Sequence, residues 1–427
     1  MTNPSSSSFP HQQRRDGTLF LEEVNLLEVA KSFGTPTYVY SAATLRESLD
    51  SYLTAFREMS AIVCVSVKTN SNLSLLKICA ERGSGFDIVS GGELQRVLAV
   101  GADPKRVVFS GVGKTDEELS FALDTGILML NVESEPELER VQAIAKRKGV
   151  TAPVSLRVNP DVDAKSHPYI STGLEDHKFG IPLKRASELY RSSERFPSLT
   201  FVGVDCHIGS MITDLSVFQD GFSRVASFIT DLRSEVPTIR YADLGGGLGI
   251  SYHGSPGPSL ADYARIVERS IGSLGMTVVL EPGRSIFGNA GVLLAKVLFV
   301  KHGKKKNFLI VDAGMNDLIR PALYEAYHEI SPVVLRSGNH IMADVVGPVC
   351  ESGDCFAHGR ELPPIEAGEH VVFQSAGAYG FTMASNYNSR PFPAEVLVDG
   401  RNVSVVKPRK KAEELFADEL AVLRAQA

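Results

Sequence analysis

The sequence predicts an α/β protein, a (β/α)8 TIM-like barrel followed by a C-terminal antiparallel β-domain. Two observations support this prediction. Over residues 61–283, short apolar runs rich in β-branched residues alternate with amphipathic segments. After about residue 286 the pattern changes to apolar residues at every second position, with turn residues between the runs.

Eight runs are predicted to be the barrel strands, because eight alternating strand and helix units close a parallel barrel. They are AIVCVSV (61–67), FDIV (86–89), VVFS (107–110), ILMLNV (127–132), VSLRVN (154–159), FVGVDCH (201–207), IRYADLGGG (239–247) and TVVLEPG (277–283). Intervening segments such as NLSLLKICAERG have apolar residues three and four apart and a closing glycine, as helices do.

Four regions are expected along the chain. Residues 1–17 contain a serine run and no apolar core of a secretory signal, which predicts a disordered tail. Residues 18–36 contain one short helical pattern, NLLEVAKSFG, and are expected to pack with the β-domain. Residues 37–285 form the barrel and residues 286–427 the C-terminal β-domain.

Composition excludes several function classes. A formal net charge of −6 argues against nucleic acid or an anionic membrane surface as a partner. No apolar run reaches the roughly 20 residues of a membrane span. Five cysteines at scattered positions do not form a disulfide framework, which predicts a reducing, cytoplasmic location.

A ring of polar residues follows the apolar runs, at the end of the barrel strands where barrel enzymes place their sites. Reading along the chain, the ring comprises Lys68, Asp87, Ser110, Asn131, Arg157, Asn159, His207, Gly245 to Gly247, Glu281 and Arg284.

Several of these residues suggest pyridoxal phosphate as a cofactor. Lys68 is either a solvated strand end or an amine that forms a Schiff base in a desolvated pocket. The glycines Gly245 to Gly247 expose backbone N–H groups that a phosphate can approach closely, and Ser210 adds a donor. Glu281 would then face the pyridine nitrogen and His207 the ring.

The stretch DVVGPVCESGDCF sets Cys350 beside Glu351, with Cys355 five residues further on. A zinc site would need two more ligands at suitable spacing, and His358 is the one histidine nearby, so no metal is predicted. A redox pair and a working acid remain as the other interpretations.

A set of longer motifs resembles one family. SVKTN, HPYISTGLEDHKFGI, CHIGS, DLGGGLG, EPGR, VDAGMNDLIRPALYEAYH, GPVCESGD and GAYGFTMASNYNSRP are similar to motifs of the diaminopimelate decarboxylase family. That family is part of the alanine-racemase-like, fold-type III group of pyridoxal phosphate enzymes. The resemblance extends from about Asn25 to Lys407, and one mild departure is VKTN, where many relatives have alanine before the asparagine.

The resemblance implies that Lys68 binds pyridoxal 5'-phosphate as a Schiff base. It also implies a head-to-tail homodimer in which Cys350 and Glu351 reach the active site of the partner chain. The residues expected around the cofactor are Asp87, His207, Ser210, Gly245, Gly246, Gly247, Glu281, Gly283, Arg284 and Tyr379.

Cys350 is the expected proton donor of the reaction. Loss of carbon dioxide leaves a carbanion that a positioned acid must protonate at Cα. A thiol has a reference pKa of about 8.5, close enough to working pH to give and regain a proton. Glu351 would bind a substrate ammonium, and Cys355 is assigned to packing.

Two arginines indicate which substrate the site binds. Arg320 and Tyr324 are four residues apart in IRPALY and share a face if that segment is helical; together with Arg284 they suit a distal carboxylate. With Glu351 for the distal ammonium and Tyr379 beside it, these residues predict meso-diaminopimelate, decarboxylated at its D-centre to L-lysine.

Three alternatives stay open. A related decarboxylase would act on D-ornithine, D-lysine or carboxynorspermidine, although two arginines repel a bare distal ammonium. A racemase with the same barrel would need a second base on the opposite ring face. A pyridoxal-phosphate-binding regulator without turnover commonly lacks the lysine or the thiol, and this chain has both Lys68 and Cys350.

Overall fold

The computed structural model describes residues 9–162, 178–253 and 257–426. The chain divides into two compact units. The barrel unit comprises residues 48–250 and 256–286, and the sheet unit comprises residues 1–47, 251–255 and 287–427.

The strands are numbered in chain order. They are β1 (Gln12–Arg15), β2 (Thr18–Leu21), β3 (Val24–Asn25), β4 (Thr37–Ser41), β5 (Ala61–Ser66), β6 (Gly85–Ile88), β7 (Val107–Phe109), β8 (Met129–Val132), β9 (Ala152–Asn159), β10 (Ile181–Pro182), β11 (Leu199–Asp205), β12 (Tyr241–Asp243), β13 (Thr277–Leu280), β14 (Gly291–Lys301), β15 (Asn307–Val311), β16 (Ile330–Pro332), β17 (Ile341–Val346), β18 (Cys355–Leu362), β19 (His370–Phe373), β20 (Ala394–Asp399) and β21 (Asn402–Lys407).

The α-helices are numbered in the same way. They are α1 (Leu26–Phe33), α2 (Ala42–Ala55), α3 (Leu73–Glu81), α4 (Gly91–Ala99), α5 (Asp116–Thr125), α6 (Glu135–Lys148), α7 (Leu183–Arg191), α8 (Leu215–Arg233), α9 (Leu260–Ile271), α10 (Arg284–Phe287), α11 (Arg320–Tyr324) and α12 (Ala417–Ala425).

The barrel unit is a closed ring of eight parallel strands. The strand order is β5-β6-β7-β8-β9-β11-β12-β13, and β13 pairs with β5 to close the ring. Each of the eight apolar runs forms one of these strands, so the predicted barrel is confirmed. Because both faces of the strands are covered, their residues are almost all buried, which is why the runs are continuously apolar.

Local capping signals set the ends of the barrel helices. Thr115 and Glu118 form a reciprocal capping box at the start of α5, and Gly126 ends that helix in the left-handed conformation. Ser134 caps α6 in the same way as Thr115 caps α5, by accepting a hydrogen bond from the third backbone N–H of its helix. These caps fix the loops that follow β7 and β8 at the polar ends of the strands.

The sheet unit contains a mixed sheet in the order β18-β17-β15-β14-β4-β20-β21, and β19 pairs with both β14 and β16. Most pairs are antiparallel, as expected, but β15 with β17 and β4 with β20 are parallel. The long connection from β15 to β17 carries α11 and β16, which leaves enough chain for a crossover between strands of the same direction. The strand β4 comes from the opposite end of the sequence.

The N-terminal region is more ordered than expected. Residues 12–15 were expected within a disordered tail, but they form β1, which pairs with β2 in an antiparallel hairpin. Asp16 and Gly17 join the two strands with φ of 47° and 78°, the conformation that a two-residue hairpin turn requires. An Asp-Gly pair is a local signal for this turn. The hairpin is also tied to the large sheet, because the side chain of Gln12 exchanges hydrogen bonds with that of Gln374.

Apolar residues of the N-terminal segment share a core with the large sheet. Leu19, Leu21 and Val29 belong to the same buried cluster as Val292 of β14 and Val372 of β19.

In the described residues, no helix is long and apolar enough to cross a membrane.

Candidate active site

Lys68 lies directly after β5 and forms an ion pair with a buried carboxylate. Its Nζ donates to Asp87 Oδ2 at 2.7 Å, and Ser66 Oγ donates to the same oxygen at 2.7 Å. Asp87 is fully buried in β6, whereas the Lys68 side chain is 34% exposed. The amine is therefore oriented from inside the barrel and still open to a small molecule.

Glu281 follows β13 and is part of a buried acidic cluster. Its carboxylate accepts a hydrogen bond from Ser110 Oγ at 3.2 Å. One carboxylate oxygen from each of Asp205, Asp243 and Glu281 lies within 4.8 Å of the others. Burial, and then the negative charges of Asp243 and Asp87, hold the pKa of Glu281 well above its ordinary value. The site thus contains a carboxyl group that readily holds a proton.

Asp243 supports this cluster from β12. Its carboxylate accepts hydrogen bonds from Asn131 Nδ2 at 3.0 Å and from the Gly245 backbone N–H at 3.1 Å. Burial raises the pKa of Asp243 to about 7 despite these donors. Neither Asp205 nor Asp243 was selected from the sequence, although both end their strands and follow the same signal as Asp87.

His207 follows β11 and accepts a hydrogen bond at Nδ1 from the Gly246 backbone N–H, at 3.1 Å. The proton of the neutral ring is therefore on Nε2. Burial, and then the positive charges of Arg157 and Lys68, lower the pKa of His207 well below its usual range. The ring is neutral at physiological pH, which suits a flat contact rather than acid catalysis.

The three glycines after β12 form a cradle with no room for side chains. A Cβ on Gly246 would lie 2.2 Å from the Glu281 carbonyl oxygen. Gly247 has a φ of +102°, and a Cβ there would lie 2.3 Å from the Gly209 carbonyl oxygen. This close packing lets the backbone approach a ligand directly.

Two polar side chains lie beside the cradle. Arg284 donates from a terminal guanidinium nitrogen to Ser210 Oγ at 3.1 Å, and Arg284 is only 8% exposed. The neighbouring Gly283 is as tightly packed, because a Cβ there would lie 2.3 Å from Thr69 Cγ2.

A second buried ion pair lies on the neighbouring strands. The Arg157 guanidinium donates to Glu133 Oε1 at 3.0 Å and lies 4.9 Å from the centre of the Phe179 ring. Burial lowers the pKa of Arg157, but the charges of Glu133 and Asp205 outweigh burial and raise it. Sequence reasoning selected Arg157 but missed Glu133, whose role depends on a contact between two strands.

The other predicted site residues belong to the sheet unit. Arg320 begins α11 and is 5% exposed; Tyr324 ends the same short helix and is partly exposed. The expected helical spacing of these two residues is therefore confirmed. Tyr379 is partly exposed and has a φ of +56°, a conformation that non-glycine residues seldom adopt.

Cys350 and Glu351 are exposed on the loop between β17 and β18. Asp354 anchors this loop, because its carboxylate accepts the backbone N–H groups of Val349 and Met315, both at 2.6 Å. The thiol therefore has a defined position and an open approach. Cys355 is half-buried, with Sγ near backbone carbonyl oxygens of β17 and β18, as expected for a packing residue.

Every predicted cofactor residue except Tyr379 thus lies in the barrel unit, and the predicted substrate residues are divided between the two units. The structure brings together Lys68 with Asp87, His207 with the glycines, and Ser210 with Arg284. Residues 163–177, which include most of the HPYISTGLEDHKFGI motif, lie outside the described residues.

Pyridoxal phosphate fits the barrel residues on three counts. The glycine cradle has no Cβ where a phosphate needs backbone donors. Lys68 is a partly exposed amine that could bind an aldehyde, and the neutral His207 lies beside it. Glu281 is a buried carboxyl group, the type of partner that a pyridine nitrogen requires.

Comparison with known families agrees with this fit. The protein-family model described as "pyridoxal-dependent decarboxylase, pyridoxal binding domain" matches residues 42–288 of this chain. The chain therefore belongs to the pyridoxal-dependent decarboxylases, and its cofactor is pyridoxal 5'-phosphate.

Full-length relatives narrow the family further. The diaminopimelate decarboxylase of Neisseria meningitidis serogroup A is 51% identical over 95% of this chain and 100% of its own. That of Pseudomonas aeruginosa is 50% identical over 95% of this chain and 97% of its own. A crystal structure of the Helicobacter pylori diaminopimelate decarboxylase with L-lysine superposes with a TM-score of 0.90, at 41% identity, covering 93% of this chain and 100% of that one. Within the pyridoxal-dependent decarboxylases, the chain groups with the diaminopimelate decarboxylases.

Proposed function

We propose that the protein decarboxylates meso-2,6-diaminopimelate at its D-centre to L-lysine and carbon dioxide, the last step of lysine biosynthesis. The observation that carries the proposal is Lys68, held by buried Asp87 at the mouth of a barrel that also presents Glu281 and a glycine cradle. A relative that is 51% identical to this chain is a diaminopimelate decarboxylase, and crystal structures of two further relatives contain L-lysine.

The barrel residues bind and orient the cofactor. When bound, pyridoxal phosphate supplies an electron sink for the pair released as the carboxylate leaves. Lys68 would supply the amine that holds the aldehyde carbon, and its ion pair with Asp87 orients that amine. Glu281, whose carboxylate accepts a hydrogen bond from Ser110, would face the pyridine nitrogen, and His207 would lie against the ring.

The phosphate would be held by backbone N–H groups and a hydroxyl rather than by a cluster of positive charges. The N–H groups of Gly245 and Gly246 donate to Asp243 and His207, so these two glycines would shape the cradle. The backbone N–H groups of Gly247 and Gly283 would donate to the phosphate, and Ser210 would add a hydroxyl. Arg284, hydrogen-bonded to Ser210, lies where it can serve the phosphate and a substrate carboxylate.

Substrate choice depends on the distal centre of the amino acid. Arg320 and Tyr324 on α11, with Tyr379 of the same unit, would provide a guanidinium group and two phenols for a distal carboxylate. Glu351 provides the countercharge for the distal ammonium. A diamino dicarboxylic acid is therefore preferred over a diamine-like substrate.

Cys350 donates the proton that the substrate needs at Cα after carbon dioxide leaves. Its exposure on an anchored loop supports delivery to a second copy of the chain, so each site would combine Lys68 of one protomer with Cys350 and Glu351 of its partner. We therefore include a head-to-tail homodimer in the proposal. Five free cysteines in the described residues, three of them buried, also support a cytoplasmic location.

The proposal is tested by comparing the expected substrate with its competitors. Purified protein with added pyridoxal phosphate is given meso-diaminopimelate, D-ornithine, D-lysine or carboxynorspermidine, and kcat/KM is measured for each. We expect kcat/KM for meso-diaminopimelate to exceed that for the others by about 10⁴-fold or more, the scale at which a missing polar partner is rejected. Preference for another substrate would keep the cofactor site and overturn the roles of Arg284 and Arg320. Binding of the cofactor without turnover of any of the four would favour a regulator.

A further inference from the structure

Arg320 is held by a buried histidine that the sequence did not single out. We propose that His328 is a positioning residue, which fixes the Arg320 guanidinium in the orientation that binds the distal carboxylate of the substrate. The inference rests on the proposed function, because it assigns a second residue to the same carboxylate.

The hydrogen bonds of His328 define a single protonation state. His328 Nδ1 lies 2.7 Å from the backbone oxygen of Gln374, and Nε2 lies 2.7 Å from Arg320 Nη1. A carbonyl oxygen only accepts, so Nδ1 must carry the proton and donate. Nε2 then presents its lone pair to the guanidinium, which only donates. His328 is 1% exposed and is a neutral acceptor for Arg320.

A neutral acceptor has a specific consequence for Arg320. A carboxylate in the place of His328 would orient the guanidinium but would also neutralise its charge. The imidazole orients it and leaves the positive charge available for the carboxylate of a ligand. The guanidinium is planar with a fixed set of donors, so engaging Nη1 sets the direction in which the remaining donors point.

An aromatic ring also contacts both Arg320 and His328. The Arg320 guanidinium carbon lies 4.9 Å from the centre of the Tyr252 ring, and that ring packs edge-on against His328 with centroids 5.3 Å apart. Tyr252, His328 and Arg320 thus form a cluster in which the guanidinium contacts the Tyr252 ring and donates a hydrogen bond to His328.

The large sheet anchors His328. The Gln374 backbone that accepts from His328 also donates its own N–H to the Glu329 carbonyl oxygen at 2.8 Å. Residues 330–332 then form β16, which pairs with β19 immediately before Gln374. Arg320 itself is on a helix of only five residues, so His328 connects it to a more rigid part of the fold.

The test compares His328→Leu, His328→Gln and Arg320→Lys with the wild type, as purified holoenzymes. His370→Gln in β19 is the matched control, because it changes a partly buried histidine of the same sheet. For each variant, kcat and KM are measured with meso-diaminopimelate and with D-lysine, which lacks the distal carboxylate. Thermal unfolding is followed to confirm that each variant is folded.

We expect His328→Leu to raise KM for meso-diaminopimelate by about 10- to 100-fold, the range for a lost hydrogen bond to a charged group, with kcat changed less than about threefold. The rate with D-lysine should not fall, so the preference for meso-diaminopimelate drops by the same factor. His328→Gln should recover part of the loss, because its amide can also accept from Arg320 and donate to Gln374. Combining His328→Leu with Arg320→Lys should add little to the effect of Arg320→Lys alone.

Three results would overturn the proposal. One is a folded His328→Leu protein with unchanged KM while Arg320→Lys raises KM, which leaves the proposed function intact. Another is an equal loss on both substrates, or an equal loss in His370→Gln, since either indicates a structural role. If Arg320→Lys itself leaves KM for meso-diaminopimelate unchanged, the assignment of Arg320 fails and His328 has no carboxylate to serve.

Discussion

An alanine in the glycine cradle should weaken binding of pyridoxal phosphate by an amount that follows from the contacts of the cradle. Replacing Gly247 with alanine places a Cβ 2.3 Å from the Gly209 carbonyl oxygen, a backbone atom that cannot rotate away. The residue also keeps a φ of +102°, which an alanine adopts only with strain. Movement of this segment is resisted, because the Gly247 carbonyl oxygen accepts the Ile212 N–H at 2.9 Å.

The close Cβ contact and the strained φ of Gly247→Ala each cost about 1–3 kcal/mol. The loop relieves them by moving out of its phosphate-binding geometry, and binding of the cofactor must restore that geometry. Taking the lower limits, about 2 kcal/mol corresponds to about 30-fold weaker binding of pyridoxal phosphate. The affinity is measured by titrating the apoenzyme with pyridoxal phosphate and following the visible absorbance of the bound cofactor.

Gly249→Ala is the matched control in the same loop. Gly249 does not have a positive φ, and a Cβ there meets its nearest atoms at 3.1 Å, so its effect should be under about fivefold. Far-UV circular dichroism confirms that both variants are folded. Wild-type affinity in Gly247→Ala, or an equal loss in Gly249→Ala, would refute the assignment of the cradle to the phosphate.

Four further predictions concern named side chains. Lys68→Ala should abolish the visible absorbance of the bound cofactor, and a variant that keeps the band would remove Lys68 from the covalent role. Cys350→Ala should bind the cofactor normally and lose turnover by about 10²-fold or more, the scale of a positioned acid, whereas wild-type turnover would exclude the thiol. Mixing Lys68→Ala with Cys350→Ala chains should restore activity through one intact site per mixed dimer, and no recovery despite confirmed subunit exchange would count against the shared site. Asp243 has a folded-state pKa of about 7 against about 4 when unfolded, so its contribution to apoenzyme stability is present below about pH 4 and lost as pH rises to about 7. The free energy of unfolding of the wild type, relative to Asp243→Asn, should therefore fall between those pH values, and a flat difference would contradict the raised pKa.

Much of the fold could be predicted because its signals are local. Each barrel strand is a continuous apolar run, and the strand-end position alone selected Lys68, Asp87 and Glu281. Contacts between distant segments could not be found in this way. Glu133 follows β8 directly and shares this strand-end position, but its pairing with Arg157 depends on how two strands pack. No local pattern marks His328 as the partner of Arg320.

The sheet unit shows the same division. The apolar alternation predicted its strands, but strand direction depends on the connections, and two pairs proved parallel. The hairpin at Asp16 and Gly17, by contrast, follows from a local Asp-Gly signal.

The most direct test measures both products of the proposed reaction. Purified protein with pyridoxal phosphate is incubated with meso-diaminopimelate, and carbon dioxide and lysine are quantified, with the chirality of the lysine determined. We predict equal amounts of carbon dioxide and L-lysine, and neither product from Lys68→Ala. Isomerised diaminopimelate without carbon dioxide would indicate a racemase, and absence of both products with the cofactor bound would contradict decarboxylation altogether.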